Sequence, residues 1–404
     1  MHSVVIIGAS HAATEAIATL RKLGWADKIV LIGDEPHLPY HRPPLSKAFL
    51  KGDVSADKLL IRPESFYEKH AVDLRLNCRA TEIDRPSQQV VLDNGERIKY
   101  EHLILATGTR ARKLPVDGAD HERVHYLRTL QDVETIQAKL SSDTKMLIIG
   151  AGYIGLEVAA SALQLGCQVT VLEAMERVLA RVTSETVSEF YQQVHRQAGV
   201  DLRLSASVVS FSHDSDKSYA ELGDGEQIEF DIALIGIGVL PNTELAASAG
   251  LVCDNGIVVN EHAQTNDPLI YAVGDCSYHH NPFYNRHLRL ESVPNAVEQA
   301  KTAASSICGQ ATVYDQLPWF WSDQYDLKLQ TAGLCEGFDQ VVVRGDQTAH
   351  KFSVFYLQDG HIIAVDAINS PADFMLGKKL ILARIAPNGD DLGNPEVPLK
   401  SFLD

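Results

Sequence analysis

No two of the six cysteines in this 404-residue chain (Cys78, Cys167, Cys253, Cys276, Cys308, Cys335) are spaced as C-x-x-C or C-x4-C. The sequence marks of a zinc site, an iron–sulfur ligand set and an adjacent redox disulfide are therefore missing, and the thiols are expected to be reduced. Basic residues are scarce as well: 36 Lys and Arg face 53 Asp and Glu, a net charge of −17. That balance argues against nucleic acid or an anionic membrane as partner, because phosphates are held through Lys and Arg. The start, Met1 to Ile7, has no basic n-region and passes directly into a strand pattern, so a cytoplasmic location is expected. Long hydrophobic runs are few. Met146 to Gly166 is largely apolar, but it contains Glu157 and carries Gly150, Gly152 and Gly155 at turn spacing. A lipid-facing helix would bury that carboxylate at high cost, so a strand–turn–helix is expected there.

What is present reads as a globular protein of two or three domains: 45% apolar, 22% charged, and too long for one ordinary core. Ser3 to Ile7 reads as a strand, followed by the turn Gly8-Ala9-Ser10-His11-Ala12-Ala13, a helix ending near Gly24, and the strand Lys28 to Ile32 ahead of Asp34. This is a βαβ unit with an acid placed for an adenosine ribose, although Ser10 and Ala13 replace the second and third glycines of G-x-G-x-x-G. A second unit carries the full motif. The strand Lys145 to Ile149 leads to Gly150, Gly152 and Gly155, a helix Leu156 to Leu165, and the strand Cys167 to Leu172 ending at Glu173. Gly150 permits the tight turn, Gly152 lets the backbone meet a diphosphate, and Gly155 lets helix and strand close up, with the diphosphate at a helix N-terminus. Two further strings belong with these: the strand Leu103 to Leu105 running into Ala106-Thr107-Gly108, and Thr265 to Val273 ending at Gly274-Asp275.

In this order the four strings resemble the two-dinucleotide flavoprotein reductases. Pro39-Tyr40-His41-Arg42-Pro43-Pro44-Leu45-Ser46-Lys47 and Trp319-Phe320-Trp321-Ser322-Asp323-Gln324 narrow the likeness to the FAD-dependent ferredoxin and rubredoxin reductases of bacterial oxygenase systems. The resemblance covers essentially the whole chain. It implies an α/β fold with two Rossmann-like domains of the glutathione-reductase type and a C-terminal α+β domain. The expected boundaries are 1–112 with 242–320 for FAD, 113–241 for NAD, and 321–404 at the C-terminus. Recurrent β-rich segments from Lys328 to Ile368 and a helix pattern from Asp373 to Ile385 fit the last of these.

Carried over position by position, Gly8, Ala12, Asp34, Arg42, Lys47, Ala80, Arg128, Asp275 and Val293 resemble FAD contacts. Gly150, Gly152, Ile154, Gly155, Glu173 and Gly238 resemble NAD contacts. The implied reaction moves hydride from NADH to flavin N5 and then single electrons to a [2Fe–2S] ferredoxin or a rubredoxin, feeding a Rieske dioxygenase or a cytochrome P450. It needs two rings stacked within about 3–3.5 Å rather than an acid–base triad. Lys47 and Glu157 are the expected groups nearest the reacting atoms, as an ion pair that spares each charge from isolation, with Glu157 on the first helical turn. Trp321 is expected by the flavin on the acceptor side. Glu173 favours NADH, since a carboxylate would repel a 2′-phosphate by about 4 kcal/mol per charge pair near 4 Å at an effective dielectric of ~20; Arg177 could soften this.

Arg286, Arg289, Lys328, Arg344, Lys378 and Lys379 are basic residues from which a dock for an acidic ferredoxin could be built. His11 and the pair His279-His280 have no matching ligands at metal spacing, so turn and loop roles are expected and no metal. Three other readings share the architecture. An NADH oxidase or peroxidase would need a cysteine soon after the first βαβ unit, where no cysteine precedes Cys78, and a disulfide reductase would need a C-x4-C pair there. A flavoprotein with a binding role, like the apoptosis-inducing-factor relatives, stands less well with the acidic balance.

Overall fold

The computed structural model describes residues 2–403. The chain forms two compact units. One comprises the chain up to His41, Asp57–Arg110 and Val239–Pro318; the other comprises Arg42–Ala56, Ala111–Gly238 and the chain from Trp319 on.

The first unit is built on a parallel sheet of five strands, in the spatial order Ile270–Ala272, His102–Leu105, Ser3–Ile7, Lys28–Ile32, Val72–Arg75. The central strand Ser3–Ile7 is apolar after Ser3 and buried along its whole length, as a parallel strand covered on both faces must be. The helix His11–Lys22 packs on the helix Val293–Ile307. Ala13, Ala16, Ile17 and Leu20 share a core with Ala300, Ala303, Ala304 and Ile307. Small side chains on the facing ridges let the two backbones approach.

The second unit repeats the plan with the parallel strands Asp201–Arg203, Gln168–Leu172, Lys145–Ile149, Ile232–Ile235 and Val124–His125. To it belongs an antiparallel five-stranded sheet ordered Trp319–Gln324, Leu327–Gly333, His361–Ile368, Lys351–Gln358, Gln340–Asp346, with the helix Pro371–Leu382 laid on it. The expected α/β class with an α+β C-terminal part is therefore what the chain adopts. Two helices differ from expectation in their bounds. Pro371 opens the helix laid on that sheet instead of preceding it, because proline's missing N–H costs nothing at a first helical position, and the helix ends at Leu382 rather than Ile385. The helix of the second dinucleotide unit begins at Tyr153, three residues before Leu156, because Gly152 already serves as its N-cap.

Among the described residues, no helix is long and apolar enough to cross a membrane, and no three His, Cys, Asp or Glu side chains are grouped to hold a metal ion. All six cysteines are free thiols.

Candidate functional site

In the second unit the turn Gly150–Gly155 is dictated by contact. Gly150 has a φ of +104°, and a Cβ there would stand 2.5 Å from the Gly236 carbonyl oxygen. A Cβ on Gly155 would stand 2.0 Å from the Gly150 oxygen, so any side chain would push helix and strand apart. Gly152 is the opposite case, with no atom within 4 Å of its Cβ position. It caps the helix Tyr153–Gln164 without a side-chain hydrogen bond, and no acid occupies the first turn. Open space at an uncapped helix start, where backbone N–H groups point outward, is the geometry an anionic diphosphate requires. The residues present thus fit a dinucleotide.

Glu173 follows the strand Gln168–Leu172, and its carboxylate closes on the same turn. It accepts from the Ala151 N–H at 2.7 Å and from the Met175 N–H at 2.9 Å. Arg177 does not soften that charge as expected. Its guanidinium donates to the Thr183 and Ala180 carbonyls, each at 2.9 Å, and to Ser188 Oγ at 2.6 Å, so it is consumed by its own loop. That loop is tied to the antiparallel sheet through Thr183, whose hydroxyl donates to the buried Asp366 at 2.6 Å beside the Tyr356 hydroxyl at 2.6 Å. Burial pushes the Asp366 carboxyl above the usual carboxylate range. Around the turn, Ile154, Met175 and Val182 are exposed apolar side chains. Gly238 completes the expected set, and a Cβ on it would stand 3.8 Å from the Arg181 guanidinium. Arg181 was not expected, since a single loop arginine carries no local signal.

Glu157 is on the second turn of its helix, as its fifth residue, and not on the first as expected. The helix N-terminus therefore does not account for its charge, since that effect is confined to the first turn. Its carboxylate meets three donors. Lys47 Nζ stands at 2.6 Å and Ser46 Oγ at 2.5 Å from Oε2, and Ser322 Oγ stands at 2.7 Å from Oε1. Ser46 ends a 3-10 turn, Pro43–Ser46, that follows Arg42, and Lys47 is its C-cap. The Ser161 hydroxyl, on the helix of Glu157, donates to the Ser46 carbonyl at 2.8 Å and fastens that turn. Ser322 is backed by Gln324 and His195. Gln324 Nε2 lies 3.3 Å from Ser322 Oγ, and Gln324 Oε1 lies 2.8 Å from His195 Nε2. Burial lowers the His195 pKa, so a neutral ring donates to Gln324, turning the amide's N–H2 toward Ser322 and the serine proton toward Glu157. Trp321 projects from the other face of the strand, as alternate residues must, with its ring 5.8 Å from that of Trp319.

The nine residues that resemble FAD contacts divide between the units. Arg42, Lys47 and Arg128 belong to the second, where the Arg42 guanidinium donates to the Arg128 carbonyl at 2.7 Å. Gly8, Ala12, Asp34, Ala80, Asp275 and Val293 belong to the first. Gly8 repeats the tight approach seen at Gly155, and Ser10 caps the following helix without a side-chain bond, with no acid in the first turn. The Gly274–Cys276 turn lies against the same helix, since a Cβ on Gly274 would stand 3.9 Å from the Ala12 Cβ. Asp275 Oδ2 accepts from the Thr109 hydroxyl at 3.3 Å. Asp34 is exposed after its strand, and Ala80 opens a separate antiparallel sheet of three strands.

Two expectations need correction. Arg344 is no docking residue. It is buried, and its guanidinium donates to the carbonyls of Leu392, Asn394, Pro395 and Val397, where it anchors the end of the chain. Lys328 and Lys379 are exposed, and the Lys378 ammonium lies 5.0 Å over the Trp319 ring. Nor is His279 a loop residue. It lies buried in the strand Ser277–Asn281, its Nε2 without a hydrogen-bond partner, and burial takes its pKa down to about 4.

Residues 2–300 match the family described as pyridine nucleotide-disulphide oxidoreductase, and residues 319–403 match reductase C-terminal. Putidaredoxin reductase of Pseudomonas putida is 46% identical over 99% of this chain and 96% of its own length. A ferredoxin–NAD(P)(+) reductase of Sphingomonas sp is 42% identical over 100% of this chain and 98% of its own. Among solved structures, the covalent putidaredoxin reductase–putidaredoxin complex contains a chain that superposes with a TM-score of 0.96 at 45% identity, covering 100% of this chain and 98% of that one.

Proposed function

The chain belongs to the pyridine nucleotide-disulphide oxidoreductase family, in its branch of FAD-dependent ferredoxin reductases, and from that premise we propose that it carries electrons from NADH to a [2Fe–2S] ferredoxin serving an oxygenase. Its cofactors are FAD and NAD(H). The balance is one NADH and two oxidised ferredoxins giving NAD+, two reduced ferredoxins and one proton. The bound flavin supplies the conversion from paired to single electrons. The protein's own task is to hold, orient and shield.

The observation that carries this reading is the ion pair of Lys47 with Glu157, seated where disulfide-using relatives of this architecture would keep a cysteine. The segment after the first βαβ unit offers Ser46 and Lys47 and no thiol. Lys47 is thus a fixed cation, positioned by Glu157 and Ser46, that favours negative charge on a neighbouring ring and leaves no nucleophile to divert electrons into disulfide or peroxide chemistry. Gly150, Gly152, Gly155, Ile154 and Gly238 form the NAD site in this reading, with Glu173 setting the preference for NADH and Arg181 supplying cationic charge beside it. Gly8, Ala12, Asp34, Arg42, Ala80, Arg128, Asp275 and Val293 hold FAD, and Trp321 serves the acceptor side. The FAD domain is 1–112 with 242–320 and the NAD domain 113–241, leaving 321–404 as the C-terminal domain. Six free thiols and the need for NADH favour the cytoplasm.

The test is NADH-supported reduction of a purified [2Fe–2S] ferredoxin, with oxygen and peroxide consumption followed in the same preparation. Fast ferredoxin reduction beside slow oxygen uptake is expected. Fast oxygen or peroxide turnover with an idle ferredoxin rules the proposal out, and a response to rubredoxin alone changes the acceptor.

A further inference from the structure

Asp275 and Val293 sit on different elements of the first unit, the 3-10 turn Gly274–Cys276 and the start of the helix Val293–Ile307. One buried carboxamide joins them. Gln299, on the second turn of that helix, is 1% exposed. Its Oε1 accepts from the Gly274 N–H at 2.8 Å, from Ser277 Oγ at 2.8 Å and from Asn295 Nδ2 at 3.3 Å. Its Nε2 donates to His279 Nδ1 at 3.2 Å. Both ends of the turn and the next strand are therefore bonded to one side chain of the helix.

The turn also has bonds of its own, since Ser277 Oγ lies 2.9 Å from the Gly274 carbonyl oxygen and Cys276 Sγ lies 3.4 Å from that of Val273, but these are local to the segment, whereas Gln299 ties it to the helix. Gly274 has a φ of +76°, a left-handed conformation that a glycine adopts as readily as any other and so does not enforce. The helix start is secured separately, with Ser292 Oγ accepting from the Asn295 N–H at 3.2 Å and the Tyr314 hydroxyl donating to Asn295 Oδ1 at 2.7 Å. An amide in the core costs desolvation that an isosteric leucine would not, and it is tolerated only when its hydrogen bonds are made. Gln299 has partners at both Oε1 and Nε2, and three of these four bonds go to Gly274, Ser277 and His279.

We infer that Gln299 is a positioning residue for flavin binding, fixing the turn that presents Asp275 against the helix start that carries Val293. The inference rests on the assignment of Asp275 to FAD. It would act on affinity for the cofactor and leave the NAD side untouched.

The experiment uses the full-length, FAD-loaded protein, diluted stepwise while the fluorescence of released flavin reports the dissociation constant. Gln299→Leu is expected to weaken FAD about tenfold or more, in line with lost hydrogen bonds of about 1.4 kcal/mol in total. Gln299→Glu keeps acceptors for Gly274 and Ser277 and can pair with a protonated His279 in place of the lost amide N–H, so it is expected to recover part of the affinity that Gln299→Leu loses, a rescue that a purely space-filling role would not produce. If Gln299→Leu does not fold, Ser277→Ala removes one of its donors and should weaken FAD about threefold. Asp275→Ala is measured alongside. If that variant keeps its FAD affinity, the assignment of Asp275 fails and takes the inference with it. If Asp275→Ala loses affinity while Gln299→Leu or Ser277→Ala does not, or if Gln299→Glu fares no better than Gln299→Leu, the inference alone is overturned.

Discussion

Lys47 Nζ stands 2.6 Å from Glu157 Oε2, although 110 residues separate the two in sequence. Their side chains are 19% and 6% exposed, so each charge has given up most of its water. A pair of this kind contributes little net stability, because desolvation offsets attraction. Its value is geometric. The two serines that also donate to Glu157 hold the carboxylate from both of its oxygens, so the direction of the Lys47 ammonium is determined from the opposite side as well.

Removing one partner is therefore costly where removing both is not. Glu157→Ala leaves Lys47 with Ser46 Oγ at 3.3 Å as its remaining side-chain partner of this group. We expect a loss of about 3 kcal/mol and a lower unfolding temperature by calorimetry. NADH-dependent flavin reduction, followed by stopped-flow absorbance, should slow by about tenfold or more. Lys47→Met with Glu157→Leu should recover most of the stability and none of the rate. An unchanged rate in Glu157→Ala removes the pair from the reaction.

Ser322 acts on the same carboxylate from the neighbouring sheet. Ser322→Ala should lower the rate of flavin reduction by about three- to tenfold, the effect of one hydrogen bond of about 1 kcal/mol, without changing the KM for NADH. Ser322→Thr keeps the hydroxyl and should restore the rate. A rise in KM at constant kcat would instead assign Ser322 to substrate binding.

The dinucleotide turns were legible because their glycines are steric necessities within a few residues of one another. At Gly150 and Gly155 the offending atom belongs to the motif's own turn or to Gly236, the residue that follows the neighbouring strand Ile232–Ile235. Glu157 was legible as a charge needing a partner, because it interrupts an apolar helix. Its two serine donors were not, since a serine's hydrogen-bond target is set by tertiary packing. Arg344 was misread because charge alone does not reveal burial. The strand period offered a signal, though, since Val342 two residues earlier is buried on the same face. The error over Glu157's helical turn arose at a boundary, where Gly152 as N-cap added three residues to the helix.

Glu173 should control the choice of nicotinamide. With Arg177 occupied by its own loop, its guanidinium does not neutralise the carboxylate at the turn. Glu173→Gln is expected to raise kcat/KM for NADPH by about tenfold or more, a fraction of the roughly 4 kcal/mol Coulomb penalty once screening is counted. NADH should lose less than that, since the glutamine oxygen can still accept from the Ala151 N–H. The check is the ratio of the two kcat/KM values at fixed ionic strength. A ratio that does not move would place the ribose elsewhere.

His279 makes stability depend on pH in a direction the burial determines. Its pKa is about 4 in the folded chain against an ordinary 6.5, with desolvation as the leading cause. Between those values the unfolded chain binds a proton that the native one refuses, so stability rises with pH across that window. It is complete above about 6.5 and is lost as pH falls toward 4. The shift corresponds to about 3 kcal/mol at most. The unfolding temperature of the FAD-loaded protein should therefore fall between pH 6.5 and 4.5. His279→Gln, which keeps an acceptor for the Gln299 amide but cannot titrate, should show a shallower decline over the same window. His41, His102, His125 and His195 are also held below the ordinary histidine value by burial, so some slope will remain. An identical slope in His279→Gln would mean that other titrating groups account for the acid lability and that His279 contributes none of it.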